Sequence, residues 1–263
     1  MKIPLKVSIV TVSFNAANTI EQTIQSVVNQ DYPHVEYIIM DGNSKDDTVS
    51  IANRYADNIT KIISAPDKGI YDAMNKGIAL ATGDVIGILN ADDQFAHAQV
   101  ISTIAKVLDN PTLSACYGDL IYFCNETPNK INRYWKGSPF KVGSFAKGWN
   151  PPHPTFFVKR EIYEKYGCFD LSYTMGNDIE LMMRFLEKYQ ITTAYIPQIL
   201  VKMRLGGVSN RSIGNILKQN KMILHAAKKL NIPISPVTFG FYKIMNRLSQ
   251  FIFKPGSDQF YAN

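Results

Sequence analysis

The chain has 263 residues, 46% hydrophobic and 19% charged, with a formal net charge of +6. This size and balance fit one large α/β domain, or a domain with an appendage, and exclude a disordered tail. The three cysteines, Cys116, Cys124 and Cys168, form no CxxC pair and are odd in number, which argues against a disulfide scaffold or structural zinc and for a reducing compartment. No run of about 18 apolar residues is present to span a bilayer. Ser8, Thr11 and Ser13 interrupt the apolar start of the chain and no small-residue cleavage site follows, so it reads as a buried strand rather than a signal peptide.

In chain order, the pattern predicts a strand over Val7–Phe14 and a helix over Thr19–Gln30, opened by an Asn18 and Glu21 capping pair. A strand over Val35–Asp41, a helix over 46–56 and a short strand over Thr60–Ser64 follow. Next come a helix over Ile70–Ala81, closed by Gly83, and a strand over Asp84–Leu89. Alternation at this spacing predicts a mostly parallel sheet with right-handed crossovers, an α/β fold. Ala115–Phe123 reads as another strand. Residues 125–154, rich in Gly, Pro, Asn and aromatics, read as loops and short antiparallel strands walling a pocket. Helices are expected around Arg160–Tyr166 and Asn177–Tyr189, and a boundary near Gly206–Ser212 would divide a domain of 1–210 from a tail of 211–263.

The charge is uneven. From Lys188 to Ser257 there are eleven basic residues and no Asp or Glu, so the remainder carries 6 − 11 = −5. A basic tail suggests an anionic partner. In it Phe241, Ile244, Met245, Leu248, Phe251 and Ile252 fall on one helical face, flanked by Lys243, Arg247 and Lys254. Such a helix suits an anionic membrane surface. The alternative is a helix packing its apolar face onto the protein's own core. Nucleic acid is disfavoured, because no helix-turn-helix, zinc-finger or aromatic-basic sheet signature is present.

Four polar clusters fall at predicted strand ends, where an open parallel sheet binds its ligands. They are Thr11, Ser13 and Asn15; Asp41-Gly42-Asn43-Ser44; Ala65-Pro66-Asp67-Lys68-Gly69; and Asn90-Ala91-Asp92-Asp93. Each alone also suits a turn or a helix cap; their joint position on one rim marks a site. Asp92 and Asp93 repel each other, an arrangement that favours a divalent cation, and oxygen-only ligands suit Mg2+ or Mn2+. Capping the next helix, the competing role, needs one Asp. No GxGxxG follows the first strand and no GxxxxGK[ST] occurs anywhere, which disfavours dinucleotide oxidoreductases and P-loop enzymes. Further on, Asp178 starts a predicted helix as cap or functional carboxylate, and Glu180 and Arg184 form an i,i+4 pair.

The series Val7-Ser8-Ile9-Val10-Thr11-Val12-Ser13-Phe14-Asn15, Met40-Asp41-Gly42-Asn43-Ser44-Lys45-Asp46-Asp47-Thr48, Leu89-Asn90-Ala91-Asp92-Asp93 and Asn177-Asp178 closely resembles the family-two inverting glycosyltransferases of the GT-A fold. The likeness covers roughly residues 5–210, and the stretch Asp67–Gly77 resembles a branch common in bacterial O-antigen, capsule and exopolysaccharide synthesis. The resemblance implies that Thr11, Ser13 and Asn15 line a nucleotide pocket, with Asp41 on the uracil or ribose. Asp67, Lys68 and Gly69 would border the nucleotide. Asn90 and Asp92 would meet the ribose and donor sugar, and Asp93 would hold Mn2+ or Mg2+ on the diphosphate. Asp178 matches the family's general base. Asn90 stands where many relatives have Asp, and Asn177 where a Glu often precedes the base; both keep hydrogen bonding and remove charge.

Three further positions have competing readings. His153, between prolines, matches a histidine near acceptor or pyrophosphate, or is a hydrogen-bonded loop residue. Arg204, before Gly206-Gly207-Val208-Ser209, would reach the diphosphate as that loop closes, or stay solvated. Trp135 and Trp149 would stack on an acceptor sugar, or pack the wall. The implied protein is a cytoplasmic, metal-dependent, inverting enzyme that uses a nucleotide sugar, with UDP expected. Its acceptor is a lipid-linked saccharide, and the basic tail holds it at the inner leaflet. The rival reading is a non-catalytic nucleotide-sugar or glycan-binding protein on the same fold.

Overall fold

The first two strands read VSIVTVS and VEYIIMD and are buried along nearly their whole length, so both faces of the sheet need cover. The computed structural model describes residues 3–124, 131–205 and 213–252, apart from the side chains at 213, 216 and 252. The expected boundary at 206–212 and the glycine loop within it lie outside the described residues.

The chain begins β1 (Val7–Ser13), α1 (Ile20–Val28), β2 (Val35–Asp41), α2 (Thr48–Asn53), β3 (Lys61–Ser64), α3 (Ile70–Leu80) and β4 (Val85–Asn90). It continues β5 (Gln94–Phe95), α4 (Val100–Leu108), β6 (Ala115–Phe123), β7 (Arg133–Trp135), β8 (Phe157–Lys159), α5 (Arg160–Tyr166) and α6 (Asn177–Met183). A π-helical turn over Arg184–Lys188, β9 (Thr193–Arg204), α7 (Ile213–Lys229) and α8 (Pro236–Ile252) complete it. One sheet runs in the order β3-β2-β1-β4-β8-β6-β9-β5, with β7 on β6. Pairing is parallel through β3-β2-β1-β4 and again between β6 and β9. The short strand β8 joins the two halves in antiparallel register.

One face of the sheet packs Val10, Ile38 and Ile86 against α3, α5, α6 and α7. The other packs Ile9, Ile39 and Leu89 against α1 and α4. Helix α3 lies so close to β1 that a Cβ on Gly77 would stand 2.3 Å from Val10, which requires glycine there.

Local details refine the sequence pattern in three places. The cap of α1 is Thr19 rather than Asn18, with no side-chain cap bond. The Glu180–Arg184 pair is a buried clamp: Arg184 Nε meets Glu180 Oε1 at 3.0 Å, and its Nη atoms donate to the carbonyls of Tyr166, Gly167 and Cys168. The inward packing of an apolar tail face is overturned for α8. Its outward face carries Val237, Phe241, Ile244, Met245, Leu248 and Phe251, each at least half exposed. Its opposite, polar face turns inward over β7 and residues 145–148.

Candidate active site

The carboxyl ends of β1, β2 and β4 open into a cleft of about 1470 Å³, closed on its far side by β7, residues 148–153, the start of α6 and the inward face of α8. Pockets that hold one small ligand run roughly 300–1,000 Å³, so this cleft has room for two.

The loops after β1 and β2 are tied to each other before any ligand arrives. Asp41, 3% exposed, accepts from Ser13 Oγ at 3.1 Å, Ser44 N at 2.9 Å, Ser44 Oγ at 2.5 Å and Ser64 Oγ at 2.6 Å. Burial opposes its charge, but these four donors win and hold the carboxyl below its usual range. Asn15, at φ 49°, donates its N–H to Ser44 Oγ at 2.8 Å and accepts from Lys45 N at 2.9 Å. Asp67 Oδ1 accepts from Gly69 N at 2.7 Å, where Gly69 takes the φ of 110° open to glycine.

Ser13, Asn15, Asp67, Gly69, Asn90, Asp92, His153, Asp178 and Arg204 all line this one cleft. Four expected residues do not. Thr11 sits inside the sheet at 0% exposure, its hydroxyl 3.1 Å from Tyr37. Asp41 is held in its serine cage behind the wall, and Lys68 turns to solvent with its N–H on Asp72. Asp93 is fully buried behind Asp92 and accepts from Arg204 N at 3.3 Å. Of the carboxylate pair, Asp92 is the one that faces the cleft.

That corner is electrically unfinished. Burial pushes Asp93 well above the ordinary carboxylate range, and Asp92 adds to it; burial also raises Asp92 itself. Arg204 donates Nη2–H to Gln22 at 2.8 Å and lies 5.1 Å from the Phe123 ring centre. Among the described residues, its Nε and Nη1 are buried without a partner, as is Asn90 Oδ1. Unpaired buried donors and acceptors beside two carboxylates fit an anionic group that carries a hard cation.

Across the cleft, Gly176 takes the αL conformation before α6, and Asn177 is buried with its amide on the Asp170 carbonyl at 2.8 Å. This turns the next side chain, Asp178, into the cleft, where His153 Nδ1 lies 3.3 Å from its Oδ2. Trp135 meets the His153 ring edge-on at 6.3 Å, whereas Trp149 packs among Tyr117, Phe140 and Phe145. Tyr71, Arg133, Lys243 and Arg247 also line the cleft. The rim motifs give no signal for these four, which arrive from α3, β7 and α8. Asp119, fully engaged by Tyr134 Oη, Tyr195 Oη and Gly137 N, anchors the β7 wall from beneath.

The sheet whose strand ends open on this cleft has the form of GT-A glycosyltransferase structures. Residues 8–167 match glycosyl transferase family 2, and the chain belongs to that family. It is 28% identical over 208 residues to a PGL/p-HBAD biosynthesis glycosyltransferase of Mycobacterium bovis, covering 77% of this chain and 78% of that one. It is 32% identical over 181 residues to an uncharacterized glycosyltransferase of Mycobacterium tuberculosis, covering 68% of each. Among solved structures, S. aureus TarS 1–349 in complex with UDP-GlcNAc superposes with a TM-score of 0.66 at 13% identity, covering 93% of this chain and 73% of that one. The mannosyltransferase PcManGT from Pyrobaculum calidifontis, in complex with GDP-Man and Mn2+, gives a TM-score of 0.59 at 19% identity, covering 97% and 77%.

Proposed function

We propose that this enzyme transfers a hexose or N-acetylhexosamine, with inversion, from a UDP-sugar to a lipid-linked saccharide in bacterial surface polysaccharide synthesis. The observation that carries the reading is Asp178, exposed to the cleft beside His153 and opposite Asp92. In one displacement the acceptor oxygen attacks the anomeric carbon while the bond from that carbon to the diphosphate oxygen breaks. The departing electron pair leaves with the nucleoside diphosphate. Asp178 takes the acceptor proton, and His153, with Nδ1 3.3 Å from its Oδ2, holds the carboxylate in place. Attack opposite the leaving group turns an α-linked donor into a β-glycoside. Arg204, whose Nε and Nη1 lack partners among the described residues, binds the diphosphate.

The donor set at Asn90 and Asp92, with Asp93 behind, suits Mn2+ or Mg2+. Bound there, the cation would stabilise negative charge on the leaving diphosphate. Among the described residues no three His, Cys, Asp or Glu side chains gather, so substrate oxygens would complete its shell. Asp92, rather than Asp93, is the carboxylate we assign to face it.

Peripheral attachment to the inner leaflet rests on the apolar ridge of α8; among the described residues no helix is long and apolar enough to cross a membrane. Changing Phe241 and Leu248 to serine should release the protein from anionic vesicles in a flotation assay, and unchanged flotation would overturn the attachment. For the reaction, a panel of nucleotide sugars with a lipid-linked saccharide and Mn2+ should give a product whose new linkage is β by NMR. An α linkage, or binding of nucleotide sugar with no turnover of any, would sink the reading, the latter in favour of a binding protein.

A further inference from the structure

We propose that Gln22, on α1, is a positioning residue for the donor: a neutral acceptor that holds the Arg204 guanidinium toward the diphosphate without taking its charge. The inference rests on the reading of Arg204 as the diphosphate's partner and adds what fixes that arginine. Gln22 Oε1 accepts from Arg204 Nη2 at 2.8 Å and from Gln94 Nε2 at 3.0 Å. Two converging donors require the oxygen, not the amide nitrogen, at that point. Arg204 lines the cleft, whereas Gln22 stands behind it, in a separate polar recess with Gln94 and Ser26. It therefore acts through Arg204 and not on the ligand.

The same helix sets the main chain of that corner. Thr23 Oγ1 donates to the Asp93 carbonyl at 2.7 Å, and Ser26 Oγ accepts from Phe95 N at 3.1 Å. Residues 22, 23 and 26 thus tie one flank of α1 to the turn after β4 and to the end of β9. There Arg204 N in turn donates to Asp93 Oδ1 at 3.3 Å, and the Phe123 ring centre lies 5.1 Å from the guanidinium. An arginine stem has several rotatable bonds, and a contact made before the ligand arrives spares part of the ordering cost on binding. An amide suits this place better than a carboxylate. Burial raises Asp92 and Asp93, and the charge of Arg204 works against that rise in both. A further carboxylate at position 22 would compete with the diphosphate for the same guanidinium. Glutamine supplies the direction of a hydrogen bond and leaves the positive charge to the ligand.

The test is a double-mutant cycle on the full chain with Mn2+, read by calorimetry. Its probe is whichever of UDP, GDP and dTDP wild type binds most tightly. Gln22→Ala should weaken that binding about fivefold with Arg204 present, and change it less than about twofold in an Arg204→Met background. Gln22→Glu, which keeps the shape and an acceptor oxygen, should weaken it about tenfold, and added salt should shrink the loss. Gln22 is exposed on α1, so its variants spare the core. Should Arg204→Met fail to fold, the comparison of Ala with Glu at position 22 decides alone. Wild-type affinity in Gln22→Ala, rescue by Gln22→Glu, or an equal loss from Gln22→Ala in both backgrounds would overturn the proposal. The arginine variant tells two failures apart. Arg204→Met with wild-type affinity, or no binding of any nucleotide to wild type, ends the diphosphate reading and this proposal with it. A weakened Arg204→Met beside an unaffected Gln22→Ala ends this proposal alone.

Discussion

The two walls of the cleft, which the proposed reaction assigns to donor and acceptor, are built by opposite means. On the donor wall, short side chains from three strand ends hold one another through local hydrogen bonds, with Asp41 taking four donors from its neighbourhood. On the acceptor wall, long cations and aromatics arrive from segments far apart in the chain, as where Arg133 meets Gln250 across 117 positions. The first wall is preorganised by hydrogen bonding, and the second by packing. Under the proposed function, a changed side chain on the first wall should disturb several hydrogen bonds at once, whereas one on the second should be absorbed by repacking.

The sharpest way to break the comparison is to remove the one carboxylate that serves both walls. Asp178→Asn should lower kcat by about 10³-fold while donor affinity stays near wild type in a calorimetric titration. A donor affinity that fell equally would make Asp178 a donor-binding residue.

The next effect lies at the root of the donor wall. Glu36, 3% exposed, accepts from Ser8, Thr82 and Lys6. Burial opposes its charge, yet those donors bring it down to about 2. A carboxyl depressed on folding adds stability above its unfolded value and loses it as the pH falls through its folded value. Acid should therefore cost up to about 3 kcal/mol between pH 4.5 and 2 in urea unfolding, and Glu36→Gln should flatten that slope.

The smallest effect belongs to the acceptor wall and runs the other way in pH. Lys243, drawn down to about 8 by burial, with Asp178 opposing the fall and Arg247 adding to it, loses its charge as the pH rises through that value. The KM for the lipid-linked acceptor should climb several-fold between pH 7 and 9, and Lys243→Arg should remove the climb. A flat profile in wild type would separate Lys243 from acceptor binding.

The sequence discloses these walls unequally for the same reason. The spans of β2, β6 and α5 match the apolar patterns, and the rim clusters at Asn15, Asp67 and Asp92 share one cleft, because strand period and chain order decide both. The 12-residue strand β9 escaped because Pro197 interrupts it; the register shift opposite Asp119 relieves that proline of any ladder bond. The burial of Asp93 behind Asp92 was equally hidden, since adjacent residues share a motif but not a direction. Helix α8 left two readings open in the sequence. Its periodicity is real, but periodicity states only that a helix has two faces, and the polar one here faces inward.

The orphaned atoms at Arg204 and Asn90 bear on the order of events. Buried N–H groups and a buried carbonyl oxygen that lack partners among the described residues reward a ligand able to hydrogen-bond to them. Across the cleft, Lys243 and Arg133 keep their bonds to Asn220 and Gln250. In the proposed reaction a nucleotide sugar bound in this corner would complete the floor of the cleft, and an acceptor would then meet it from the opposite wall.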